Sequence, residues 1–224
     1  LPLTRRDRLL VPTRERRVLG GLRCAYGCLE QVRELAEHLS GKAVFLTLTP
    51  CANKSLALRM ASEAEGFDLT FKIDEQFEDL LNVLRQLHVS HVHYHHLLGI
   101  SLTMMRIHED LGVSYDFTAH DYYTACPQVS LTDEQQAYCG ERGVDQCKTC
   151  VSKRPTPRHE GIEDWRLRHS IFLTEARNVL APSQDATARL RRYFPYAHPR
   201  HVRHTDITPE QDKTLHVLEP YTIS

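Results

Sequence analysis

Apolar residues recur every three or four positions from Cys28 to Leu39, and Leu29, Val32, Leu35, Ala36 and Leu39 fall on one face of a predicted amphipathic helix. A continuous apolar run, AVFLTL over residues 43–48, follows and reads as a buried strand. The alternation continues: EQFEDLLNVLRQL (75–87) predicts a helix, HVHY (91–94) a strand, LLGISLTMMRIHEDL (97–111) a helix and YDFTAH (115–120) a strand. Further on, IEDWRLRHSIFLTEA (162–176) predicts a helix, NVLAPS (178–183) a strand ending in a turn, and Ser183 an N-cap for the helix SQDATARLRRYF. Strands and helices taking turns imply βαβ units. The expected fold is α/β and Rossmann-like, a mainly parallel sheet with helices on both faces, in a single domain.

Three stretches break this pattern. Residues 1–17 are polar and Arg-rich and read as an irregular arm, with the ordered domain spanning 18–205. Residues 121–161 are rich in Cys, Pro, Gly and charge. Structureless loops beyond about 12–15 residues are uncommon in compact domains, so this insertion needs something to hold it. Residues 206–224, with the weak apolar stretch LHVLEP, read as a tail or the start of a further domain.

Charge narrows the partners. Lys+Arg total 28 against 29 Asp+Glu, a formal charge of -1, which removes any whole-chain attraction to nucleic acid, and no nucleic-acid partner is expected. No window approaches the roughly 18–20 apolar residues of a membrane span, and the N-terminal stretch lacks a signal peptide's apolar core, so the chain reads as cytoplasmic. The basic segment RLRRYF is the candidate for peripheral contact with the inner face of a membrane or with a lipid-linked acceptor.

Seven cysteines, an odd number, argue for reduced thiols rather than a disulfide framework. Cys126, Cys139, Cys147 and Cys150 fall within 25 residues, the last two as CKTC, and four such thiols suit a tetrahedral structural zinc; reduced buried thiols are the competing reading. In HVHYHH, strand alternation sends His91 and His93 to one side and Val92 and Tyr94 to the other. His95 and His96 fall at the carboxyl end of their strand, as His120 and Asp121 do at theirs, and ligands of open α/β sheets bind outside such ends. Gly20 and Gly21, ahead of a helix, suit close approach of a phosphate or sugar, with a plain turn as the alternative. The motifs GxGxxG, GxxxxGK[ST] and GxSxG are missing.

The order GG, VRELAEHL, HVHYHHLLG, YDFTAHDYYTACP, the downstream cysteines, DWR and NVLAPSQDATARLRRYFP resembles the N-terminal, acceptor-binding domain of GT-B glycosyltransferases of the family 4 type, over about residues 18–205. The resemblance implies a retaining enzyme that transfers a sugar from a nucleotide-sugar to a saccharide or lipid-linked acceptor in surface polysaccharide or glycan biosynthesis. It implies no catalytic metal or other cofactor, so that zinc on the cysteines is structural. It places His120 and Asp121 as the catalytic pair facing the sugar, and Gly20 and Gly21 near the donor phosphates. His95, His96, Tyr122 and Ser183 complete the expected cleft. The donor is held mainly by a C-terminal domain that these residues do not include, so the chain reads as the acceptor half of a larger enzyme, inactive alone. The competing expectation is a zinc-stapled α/β binding module without catalysis.

Overall fold

The computed structural model describes residues 16–20, 26–51, 54–61 and 67–202. The elements run β1 (Arg16–Gly20), α1 (Tyr26–His38), β2 (Ala43–Cys51), β3 (Ser55–Met60), β4 (Asp68–Lys72), α2 (Ile73–Gln86), β5 (Val89–Tyr94), α3 (Leu102–Met105), α4 (Ile107–Leu111) and β6 (Ser114–Thr118). Then come α5 (Val144–Lys153), α6 (Ile162–Glu175), β7 (Asn178–Ala181), α7 (Gln184–Tyr193) and β8 (Pro199–His201). They build one eight-stranded sheet in the order β4-β3-β2-β1-β5-β6-β7-β8. Every pairing from β2 through β1 to β8 is parallel, and β3 and β4 add an antiparallel edge.

Alternation along β1 divides the core. Val18 joins Val32 of α1 and Ala43 and Phe45 of β2 in a small cluster, whereas Leu19 joins Leu46, Leu48 and the buried residues of α2 and α6 in the main one. Side chains of successive strand residues point to opposite faces, so helices cover both. The α/β Rossmann-like expectation is met. The chain leaves β1 through α1 to β2 on one side and returns to β5 on the other, so the strand order reverses at the β1–β5 boundary. Ligand crevices of this fold lie at that switch point, outside the carboxyl ends.

Several boundaries differ from expectation. The ordered domain expected from residue 18 opens with a strand that begins at Arg16, inside the expected arm, because β1 is central and its ladder to β2 and β5 extends through Arg17. The single helix expected over 97–111 is two short ones meeting at Arg106. Gly99 takes a left-handed φ of 71°, Ser101 Oγ caps α3 by accepting the Met104 N–H, and the buried Tyr94 hydroxyl donates to the Met105 carbonyl at 3.1 Å, so local hydrogen bonds compete with a continuous helix. The insertion contains α5, whose only buried side chain is Val151. Strands β1, β3, β4 and β8 carried no sequence prediction; β8 is a three-residue edge defined by its ladder to β7. Residues 1–15, Gly21 and the tail 206–224 lie outside the described residues, and with them the expectations attached to them.

Candidate active site

At the carboxyl ends of β5 and β6 the two expected pairs do come together. His95 is 1% exposed, and its Nδ1 lies 3.3 Å from Nε2 of half-buried His120. Beside them His96 Nε2 hydrogen-bonds Asp121 Oδ2. The Leu98 N–H donates to His96 Nδ1 at 2.8 Å, so that nitrogen presents its lone pair and Nε2 carries the proton given to Asp121. The Tyr123 N–H donates to Asp121 Oδ1 at 2.8 Å. Both oxygens of Asp121 are therefore engaged inside the protein, where they hold the turn after β6.

Beneath this edge the same sheet face is polar and buried. His93 stacks on His95 with ring centroids 4.2 Å apart, and its Nε2 meets Thr118 Oγ1 at 2.8 Å. One step further down, Asp116 accepts from Asn178 Nδ2 at 2.8 Å and lies 3.1 Å from His91 Nε2. Burial alone would raise the Asp116 pKa, but the neighbouring His91 and His93 and the Asn178 amide outweigh it and hold the carboxyl below its ordinary value. The signal for this column was present in the sequence: His91, His93 and His95 against Ser114, Asp116, Thr118 and His120 keep period two on adjacent strands. The register that pairs His93 with Asp116 comes from the ladder.

Burial pushes His93 down to about 4, and does the same to His169, which donates from Nδ1 to the Trp165 carbonyl. Each imidazole returns to about 6.5 on unfolding, so the unfolded chain binds more protons between pH about 4 and 6.5. Stability is fully present above that window and is lost as pH falls through it. Thermal unfolding from about pH 7.5 to about pH 5 should show a falling midpoint. A flat profile would mean that neither ring is buried neutral.

The remaining expected cleft residues have defined places. Gly20 ends β1 and pairs in register with His93, which sets the central strand's end beside the histidine column. Ser183 ends the turn after β7, and its Oγ accepts the Ala186 N–H at 3.0 Å, capping α7 as its position predicted. The Tyr122 hydroxyl meets Asp185 Oδ2 at 3.4 Å, and the Arg189 guanidinium lies over the Tyr122 ring, so this side chain turns to the start of α7.

Residues 121–161 are fastened to α7 by a group that the sequence did not reveal. Glu141, with its side chain 6% exposed, pairs with both Arg189 and Arg192, and Tyr138 donates to the same carboxylate. Arg191 donates to the Pro199 carbonyl at 3.0 Å, so the arginines of the basic RLRRYF segment all have partners within the protein. Burial pushes the Cys126 thiol up to about 11, and Cys150, Cys139 and Cys147 lie near enough to oppose its ionisation further. Among the described residues no group of three or more His, Cys, Asp or Glu side chains is placed so that it could hold a metal ion, and Cys126, Cys139, Cys147 and Cys150 are free thiols. No described helix is long and apolar enough to cross a membrane. No protein-family model matches this chain, and no curated protein matches its sequence.

Proposed function

We propose that this chain is the acceptor-binding domain of a retaining glycosyltransferase of the GT-B type, which moves a sugar from a nucleotide-sugar to a saccharide or lipid-linked acceptor. The observation that carries the reading is the meeting of His95, His96, His120 and Asp121 at the carboxyl ends of β5 and β6, next to the switch point of a parallel sheet. Hydroxyl groups suit such a site because a neutral imidazole both donates and accepts a hydrogen bond. His120 at the mouth binds or polarises a sugar hydroxyl. His95 sets the orientation of His120, while His96 and the Tyr123 N–H fix Asp121 and the turn that carries them.

On this reading the donor's nucleotide is held mainly by a second domain outside residues 1–224, and Gly20, which ends β1, faces the donor from this side. The test is transfer by a protein containing both domains, measured against a panel of UDP- and GDP-sugars with saccharide and lipid-linked acceptors. Transfer with retention of anomeric configuration is expected. Neither transfer nor donor hydrolysis across the panel would count heavily against an enzyme and leave the α/β binding module as the better account.

A further inference from the structure

We propose that Cys126, Cys139, Cys147 and Cys150 bind one zinc(II) ion that fixes the shape of residues 121–161, a role independent of the transferase reading. The four residues come from separate parts of the insertion: Cys126 follows the turn after β6, Cys139 follows an antiparallel bridge between Thr132 and Tyr138, and Cys147 and Cys150 lie one turn apart in α5.

Two arginines knit these parts together at the sulfurs. Arg166 donates from Nε to the Ala125 carbonyl at 3.0 Å and from Nη2 to Cys147 Sγ at 3.4 Å. Arg154 donates from Nη2 to both the Thr132 carbonyl and Cys150 Sγ, the latter at 3.0 Å. Each guanidinium thus ties a helix cysteine to backbone beside a loop cysteine, for Ala125 precedes Cys126, and the Leu131 carbonyl next to Thr132 accepts the Cys139 N–H at 2.9 Å. A neutral thiol is a weak acceptor, whereas a metal-bound thiolate is the anionic partner such donors suit. Four thiolates on Zn²⁺ leave a charge of −2, and Arg154 and Arg166 supply +2 beside it. Outer hydrogen bonds of this kind orient and tune metal ligands.

The insertion also needs the tie. Between Cys126 and Cys150 only Leu131 is buried, yet Val129, Leu131, Gln136 and Glu141 all hold left-handed φ angles of 48–62°. Such conformations cost about 1–2 kcal/mol each for side chains bearing a Cβ, and persist only where surrounding structure enforces them. Binding is a balanced exchange without redox change: the sulfurs turn onto the ion, four S–H protons are released and four Zn–S bonds of about 2.3 Å form.

The test uses the chain purified under reducing conditions and supplied with zinc chloride, with metal content and thiol alkylation read together. One tightly held zinc is expected, with Cys126, Cys139, Cys147 and Cys150 shielded from alkylation until a chelator is added, while Cys51 reacts at once. Cobalt(II) in place of zinc should give the absorption of tetrahedral thiolate ligation. The Cys51→Ser variant should keep the ion and Cys150→Ser should lose it; should Cys150→Ser fail to fold, the shielding pattern of the unaltered chain decides. Failure to retain zinc, four thiols reactive before chelation, or two disulfides among these cysteines would each overturn the proposal.

Discussion

On the proposed function, His120→Ala in a protein that contains both domains is expected to lower sugar transfer by about 10²-fold or more, the usual loss for a positioned acid-base or charge-stabilising group. His120 is half-buried at the end of β6 and its ring faces His95 at 3.3 Å, so removing it strips the mouth of its donor-acceptor group while leaving the sheet beneath intact. The thermal midpoint of the variant should therefore stay close to that of the parent. His120→Gln, which keeps one donor and one acceptor, should recover part of the activity if hydrogen bonding to a hydroxyl is the role. A fall in stability and activity together would make His120 a structural hydrogen-bonding residue. Near-normal turnover in a folded protein would remove it from the site.

Trp165→Ala is expected to destabilise the chain by about 3–5 kcal/mol, the range for truncating a fully buried large aromatic side chain. Trp165 is 1% exposed, its ring meets Tyr123 edge-on at 4.9 Å, and its indole N–H donates to the Tyr123 carbonyl at 3.0 Å. It also packs on His169, with centroids 4.8 Å apart. The consequence reaches the site because the N–H of the same Tyr123 holds Asp121 Oδ1. Trp165→Phe keeps most of the packing but leaves the Tyr123 carbonyl unpaired, which should cost about 1–3 kcal/mol. Urea denaturation of the two variants separates packing from hydrogen bonding. A loss below about 1 kcal/mol for Trp165→Ala would mean that α6 does not form the floor beneath the β6 turn.

Much of the architecture is written in short-range patterns. The apolar stripe Val32, Leu35, Ala36, Leu39 and the run AVFLTL have periods that only a helix and a buried strand satisfy, and they appear as α1 and β2. The Ser183 cap was equally local, since an N-cap is decided by the residue and the helix that follows it. Because parallel strands deliver whatever follows them to one edge, it was also legible that His95, His96, His120 and Asp121 belong to neighbouring strand ends.

Tertiary structure decided what depends on register and on distant partners. The Tyr123 N–H contact to Asp121 is local, two residues on, but the bond to its other oxygen comes from His96, 25 residues away in the chain. The ladder between β5 and β6 sets His93 opposite Asp116, and the ladder between β6 and β7 sets Asp116 opposite Asn178, so polar residues of three strands meet on one sheet face. In the insertion, α5 buries one side chain and lacks a strong apolar stripe, so its place comes from Glu141 between Arg189 and Arg192 and from Arg154 and Arg166 on the cysteines. The sequence by itself therefore determined the parallel strands β2, β5, β6 and β7, the helices α1, α2, α6 and α7, and which residues fall at the strand ends, because periodicity acts over a few residues. Which donor meets which acceptor there was decided only by the fold, because hydrogen bonds and ion pairs over short distances join residues far apart in the chain.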